Sequence, residues 1–127
     1  MKHYPIRTLF LHRDLPFHGG VSQSFVTFAR NFDSARIKMW VGSFVKPSAE
    51  IVNVLRQADV DVIELGDKGY LRPARALASQ LSRNAIEVVV CASFKSFLVA
   101  KLASLWSYCR IIFWIPGSKL VINGPIR

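Results

Sequence analysis

Several things are scarce in this chain, and each absence closes a class of function. Cysteine occurs only twice in 127 residues, too rarely for the disulfide framework of a small secreted domain. Cys91 and Cys109 fall in an apolar strand and at the end of an apolar helix, and read as buried free thiols in a reducing cytosol. The three histidines, His3, His12 and His18, lack metal-ligand spacing and a carboxylate at fixed offset, so no metal site is expected. Neither GxGxxG nor GxxxxGK[ST] is present, which argues against ordinary dehydrogenases and nucleotide triphosphatases. Asp14 follows the first strand as in phosphoacceptor receivers, but Glu64 and Asp67 do not supply the clustered carboxylates those need. No nucleophilic triad can be drawn, and no catalytic residue is assigned. Met1 to Leu11 holds a proline and basic residues instead of a long apolar core, so it is not a signal peptide.

Acidic residues are also few: eight, against 17 Lys and Arg, giving a net charge of +9 and a pI near 10.2. The excess favours anionic partners. Basic residues never run consecutively and no aromatic-basic motif accompanies them, so nucleic acid is an unlikely partner. The apolar share, 51%, and a mean hydropathy of +0.27 are high for a chain too short to bury most of its surface. Part of that surface is expected to meet a missing domain, another subunit or an anionic membrane. Ser96 to Pro116 has the length of a bilayer span, but Lys101 and Arg110 interrupt it, each costing about 2.5–3.5 kcal/mol near the bilayer centre. A helix followed by a buried strand fits better.

Strands are expected at Ile6–Leu11, Ile37–Val41 (reaching toward Val45), Val60–Leu65, Glu87–Cys91 and Arg110–Ile115. Between them lie segments of helical period. Val21, Phe25, Phe28, Ala29 and Phe32 share one face; Ile51, Val54, Leu55 and Ala58 share another behind a Ser48 cap. Pro73 suits a first helical turn, with Ala74, Leu77, Ala78 and Leu81 as the stripe. Phe94, Phe97, Leu98, Leu102, Leu105 and Trp106 line a fourth helix. Strands that read as continuous apolar runs belong to a parallel sheet covered on both faces. The expected fold is therefore α/β: a doubly wound, Rossmann-like sheet of about five strands in order 3-2-1-4-5. After Pro116 turn formers dominate, and Leu120 to Ile122 reads as a strand fragment with no helix after it.

Ligands of such sheets bind beyond the strands' carboxyl ends where the order reverses, here between the first and fourth strands. That selects His12–Ser22 and Ala92–Ser96. Gly19, Gly20, Val21 and Ser22 open a helix, where bare backbone and free N–H groups favour an anion. Ser93 and Lys95 open another; they are candidates to hydrogen-bond a substrate, against a plain capping Ser93 and a solvated Lys95. Arg72 and Arg75 flank Pro73 beyond the third strand and are candidates to meet an anionic acceptor.

Arg7-Thr-Leu-Phe-Leu-His12, then Pro16-Phe-His-Gly-Gly-Val-Ser22 and the helix through Phe32, resemble the amino-terminal domain of GT-B retaining glycosyltransferases, the family 4-like group. Asp59–Leu65 before a basic helix, and Glu87–Ser93, fit the same template. The resemblance implies a sugar moved from a nucleotide-sugar, as substrate and not cofactor, to a glycan or lipid-linked acceptor. Gly19 and Gly20 would face the donor diphosphate, and the acceptor would meet this domain. It also implies that residues 1–127 are one incomplete domain whose carboxyl-terminal, donor-binding partner is missing. The chain is expected to be cytoplasmic, and its basic surface with exposed aromatics would suit peripheral contact with an anionic membrane at the inner face. The family's histidine after the fifth strand is not found in Trp114-Ile-Pro-Gly117. A stand-alone phosphate- or nucleotide-binding module without catalysis is the alternative.

Overall fold

The computed structural model describes residues 4–114; the turn-rich segment after Pro116 and the fragment Leu120–Ile122 lie outside them, as does His3. Nine elements alternate: β1 (Ile6–His12), α1 (Gly20–Asn31), β2 (Ile37–Ser43), α2 (Ala49–Gln57), β3 (Asp61–Glu64), α3 (Leu71–Asn84), β4 (Val88–Cys91), α4 (Phe94–Ala103) and β5 (Arg110–Phe113). The sheet order is β3-β2-β1-β4-β5, with every pairing parallel. This is the expected doubly wound, Rossmann-like topology, with its order reversing between β1 and β4.

The faces follow from the period-two alternation of a strand. Leu9 and Leu11 enter one core with Leu77, Leu81, Val99 and Ala100 of α3 and α4. Phe10, between them, enters the other with Phe25, Val26, Ile51 and Leu55 of α1 and α2. Phe10 meets Phe25, Phe28 and Phe32 at ring-centroid distances of 5.6, 5.5 and 5.8 Å. Phe25 and Phe28 lie on α1 and Phe32 is its C-cap, so one strand residue grips the helix along two turns. Trp114, just past β5, closes the cluster against Phe28 at 5.5 Å.

Local signals set the boundaries. Ser48 caps α2 by accepting the Glu50 N–H at 3.2 Å. Pro73 is the third residue of α3 and is buried. Gly66 ends the β3 region with φ +93°, a conformation that favours glycine.

Three expectations fail. The fourth helix stops at Ala103, not Trp106, because the chain tightens into i→i+3 bonds, Leu105 N–H to Leu102 and Trp106 N–H to Ala103, before turning into β5. Leu105 and Trp106 consequently face solvent, 77% and 55% exposed, and Phe94 is 65% exposed instead of lining the inner face. Cys109 lies in the loop before β5, not at a helix end, though it is buried. The outer strands are not buried on both faces: Ile112 and Phe113 of β5 are exposed, since an outermost strand has one neighbour and incomplete helix cover. Burial pushes the Cys91 thiol up to about 12, with Cys109 adding to it, and the Cys109 thiol up to about 11. Both are protonated and unreactive at neutral pH.

If the aromatic grip holds α1 to the sheet, Phe25→Ala costs about 3–5 kcal/mol in urea unfolding. Thr27→Ala, on the exposed side of the same helix, stays within about 0.5 kcal/mol. Equal small losses would show that α1 is not seated as described.

Candidate ligand site at the switch point

The carboxyl ends of β1 and β4 splay into the loops that start α1 and α4, on opposite faces of the sheet. The β1 loop is fastened to its neighbours: the Arg13 carbonyl accepts the Phe44 and Val45 N–H groups, and the Leu15 carbonyl accepts that of Ser48. Leu15 is buried. The loop then bends at Pro16, whose carbonyl accepts the Gly19 N–H at 3.2 Å.

Gly19 is the N-cap of α1, in extended conformation at φ −72°, ψ 144°, and no side chain caps the helix. The first N–H groups of a helix have no partner within it. Gly19's is taken by Pro16, so those of Gly20, Val21 and Ser22 carry the positive end of the helix without a side-chain acceptor. The two glycines differ. A Cβ on Gly19 would lie 2.9 Å from Pro16 Cγ, whereas one on Gly20 would meet nothing within 4 Å. Gly19 is therefore required by packing, and Gly20 leaves open space above the helix start.

Ser22 is buried, and its hydroxyl has no hydrogen-bond partner. It lies 3.4 Å from the Cβ position of Gly19, hence on the cap side of the helix. A buried hydroxyl without a partner forfeits about 1–3 kcal/mol, a cost that a ligand at this helix start could offset.

His12 ends β1 at the same edge. Nε2 stands 3.6 Å from Asp14 Oδ1, and the side chain is 20% exposed. Nδ1 is buried without a hydrogen bond of acceptable geometry, although the Ala92 backbone acts on the ring in the direction of protonation. Burial nevertheless dominates and holds the imidazole below its ordinary pKa, with Asp14 and Ala92 opposing and Arg13 reinforcing. At neutral pH this is an uncharged ring able to donate from one nitrogen and accept at the other. Sequence reasoning passed over His12 as a site residue because it sought metal spacing. Its position as the last residue of the central strand was the usable signal.

On the other face, Ser93 caps α4 by accepting the Ser96 N–H at 3.2 Å and pairs with the Ser96 hydroxyl. Lys95 is not solvated: Nζ bonds Asp67 at 3.0 Å and lies 5.2 and 5.3 Å from the Phe44 and Tyr70 rings. It ties together the loops after β2, β3 and β4. Arg72 and Arg75 are exposed on the first turns of α3. The structure thus places Gly19–Ser22 at the start of α1 and His12 at the end of β1 beside Asp14 and Ala92, and brings Lys95 to the loop leading to Arg72. A cavity of ≈ 630 Å³, lined by Phe32, Lys38, Arg56 and Asp61 among others, opens at the amino edge, opposite to where open sheets bind ligands. Among the described residues, no three His, Cys, Asp or Glu side chains converge as metal ligands.

Two solved structures share this arrangement of strands and helices. A glycosyltransferase from Rickettsia africae ESF-5 superposes with a TM-score of 0.71 at 18% identity, covering 94% of this chain and 32% of that one. A mutant O-GlcNAc transferase from Thermobaculum terrenum superposes with a TM-score of 0.66 at 15% identity, covering 90% of this chain and 21% of that one. The chain therefore spans a third or less of each. At these identities the likeness is one of fold. No protein-family model and no curated protein sequence matches the chain.

A histidine buried in its neutral form takes up fewer protons folded than unfolded, so acid favours unfolding. Stability is expected to fall as pH drops below about 6.5 and on through the lower, folded pKa of His12. His12→Gln should flatten that part of the curve. An NMR titration placing the His12 midpoint at or above its unfolded value would contradict the burial argument.

Proposed function

We propose that this chain is the acceptor-side, amino-terminal half of a glycosyltransferase of the GT-B, retaining, family 4-like type. In this reading it moves a sugar from a nucleotide-sugar to a glycan or lipid-linked acceptor together with a carboxyl-terminal domain. The observation that carries the proposal is the uncapped start of α1, with Gly20 open above it, at the reversal point of a parallel sheet. Support comes from the fold shared with parts of two glycosyltransferases.

The chemistry asks for such a surface. When the glycosidic bond to the donor breaks, negative charge collects on the departing diphosphate, and fixed N–H dipoles that need no reorganisation stabilise it. Gly20, Val21 and Ser22 supply those dipoles, and the Ser22 hydroxyl is a further donor. His12, neutral and beside Asp14, is placed to hydrogen-bond a sugar or acceptor hydroxyl. In this reading the exposed Arg72 and Arg75 meet an anionic acceptor, whereas Lys95 reaches one only by leaving Asp67. A reacting sugar with cationic character must be kept from water, which a cleft closing between two domains achieves. One wall leaves it exposed.

The purified chain is expected to transfer no sugar from UDP- or GDP-linked donors, and to bind UDP more weakly than about 1 mM, roughly −4 kcal/mol. Gly20→Glu, whose Cβ meets nothing within 4 Å, should remove that weak binding by placing a carboxylate at the helix start. Measurable transfer by the chain alone would overturn the half-enzyme reading. Micromolar nucleotide affinity would favour a self-sufficient binding module.

A further inference from the structure

Besides the cavity beside α1 and α2, the amino edge opens a hollow of ≈ 610 Å³ where β1, β4 and β5 begin and α3 ends. That volume falls within the roughly 300–1,000 Å³ of small-molecule sites. Its floor is apolar: Leu81 and Ile86 are buried and Val88 half-buried, with Ile6 exposed at the border. Its rim is polar. The Ser82 hydroxyl, in the last turn of α3, donates to that of Ser107 at 3.1 Å, which leaves the Ser107 proton free to donate in turn. Tyr108 also lines the rim, and it is 80% exposed.

Two opposite charges border the hollow without meeting. Arg110 stands in register with Val88, and Glu87 comes one residue earlier, so strand alternation sends the two side chains to opposite faces of the sheet. The main chain joins them, the Arg110 N–H donating to the Glu87 carbonyl at 2.8 Å. Among the described residues neither side chain belongs to an ion pair. One Glu87 oxygen accepts the Arg7 N–H at 3.4 Å, too long to hold the carboxylate firmly. Both groups line the hollow, which lies past the strand starts. An anion bound there would gain Arg110 but face Glu87, and a cation the reverse. An uncharged ligand rich in hydroxyl groups suits both, donating to the carboxylate and accepting from the guanidinium.

We propose that this hollow binds carbohydrate: a neutral oligosaccharide that packs a ring face on Tyr108 and the apolar floor, while its hydroxyl groups bond Glu87, Arg110 and the Ser82–Ser107 pair. A pyranose has that double character, apolar across its faces and polar around its rim. An exposed aromatic ring beside charged and hydroxyl groups matches it. Hydrogen bonds to charged partners are about twice as strong as neutral ones, so Glu87 and Arg110 set the preference for an uncharged sugar. The hollow lies at the opposite ends of the strands from the α1 start. It is therefore independent of the sugar-transfer reading, and holds a glycan whether or not the carboxyl edge transfers one.

The test is titration of the labelled chain with cellobiose, maltotriose and N,N′-diacetylchitobiose to millimolar concentration, read by amide chemical shifts. At least one sugar is expected to move Ser82, Glu87, Ser107, Tyr108 and Arg110 saturably. Tyr108→Ala and Glu87→Gln alter exposed side chains, and circular dichroism checks that the fold is kept. The first should weaken binding about tenfold and the second about fivefold. Cellobiuronate, an acidic counterpart, and chitobiose, a cationic one, should bind more weakly than their neutral parents. The proposal is overturned if none of the neutral sugars moves these resonances, or if both variants bind as the parent chain does. Tighter binding of a charged counterpart also overturns it. Shifts centred on Gly20, Val21 and Ser22 instead would assign the sugar to the carboxyl edge and remove this site while leaving the other reading intact.

Discussion

The contact of Phe10 with Phe25, Phe28 and Phe32 governs the ligand edge. A helix start can present its N–H groups to a ligand only if the helix is held at a fixed depth and angle against the sheet. Phe10 sits on the central strand, and its three partners span two turns of α1. Aromatic pairs of this kind are worth about 0.5–1.5 kcal/mol each beyond their buried area, and the buried area itself contributes more. With Gly19 as its cap, α1 forgoes roughly a few tenths of a kcal/mol of capping energy, and Ser22 forgoes a hydrogen bond. Both losses are small against the aromatic packing that holds the helix in place, so the fold tolerates an unsatisfied binding edge.

Much of this was legible in the sequence. The strand order followed from apolar runs too continuous for an antiparallel sheet, alternating with helical stripes. Ser48 and Pro73 marked helix starts by chemistry that acts over three or four residues. The two glycines pointed to the α1 start, although their separate roles did not show: Gly19 is demanded by Pro16, and Gly20 is free. What escaped notice depends on long-range neighbours. His12 is shifted because the fold buries its ring, a cost that outweighs the opposing pull of Asp14 and of Ala92, about 80 residues away in sequence. Lys95 looked solvated because Asp67, Phe44 and Tyr70 come from two other loops. The end of α4 was missed because Leu105 and Trp106 continue the apolar period while the backbone has already turned.

The two edges and two faces of the sheet divide the labour. The amino edge holds the ≈ 630 Å³ cavity, with Lys38 and Asp61 at strand starts among its lining. Arg7 bonds the Asn84 carbonyl and lies 5.0 Å over the Trp40 ring, which fastens α3 to β1 and β2. The carboxyl edge gathers the unsatisfied groups: the bare α1 start, the Ser22 hydroxyl and the His12 ring. The α1–α2 layer is near charge balance, while the α3–α4 layer collects positive charge and outward apolar side chains.

The central claim is that backbone N–H groups at the start of α1 attract phosphate. Amide chemical shifts of the labelled chain, followed as inorganic pyrophosphate is added to millimolar concentration, test it without requiring turnover. The account predicts saturable movement of the Gly20, Val21 and Ser22 resonances, with the His12 ring following. Shifts gathered instead around Lys38 and Arg56 at the amino edge, with the α1 start unmoved, would contradict it.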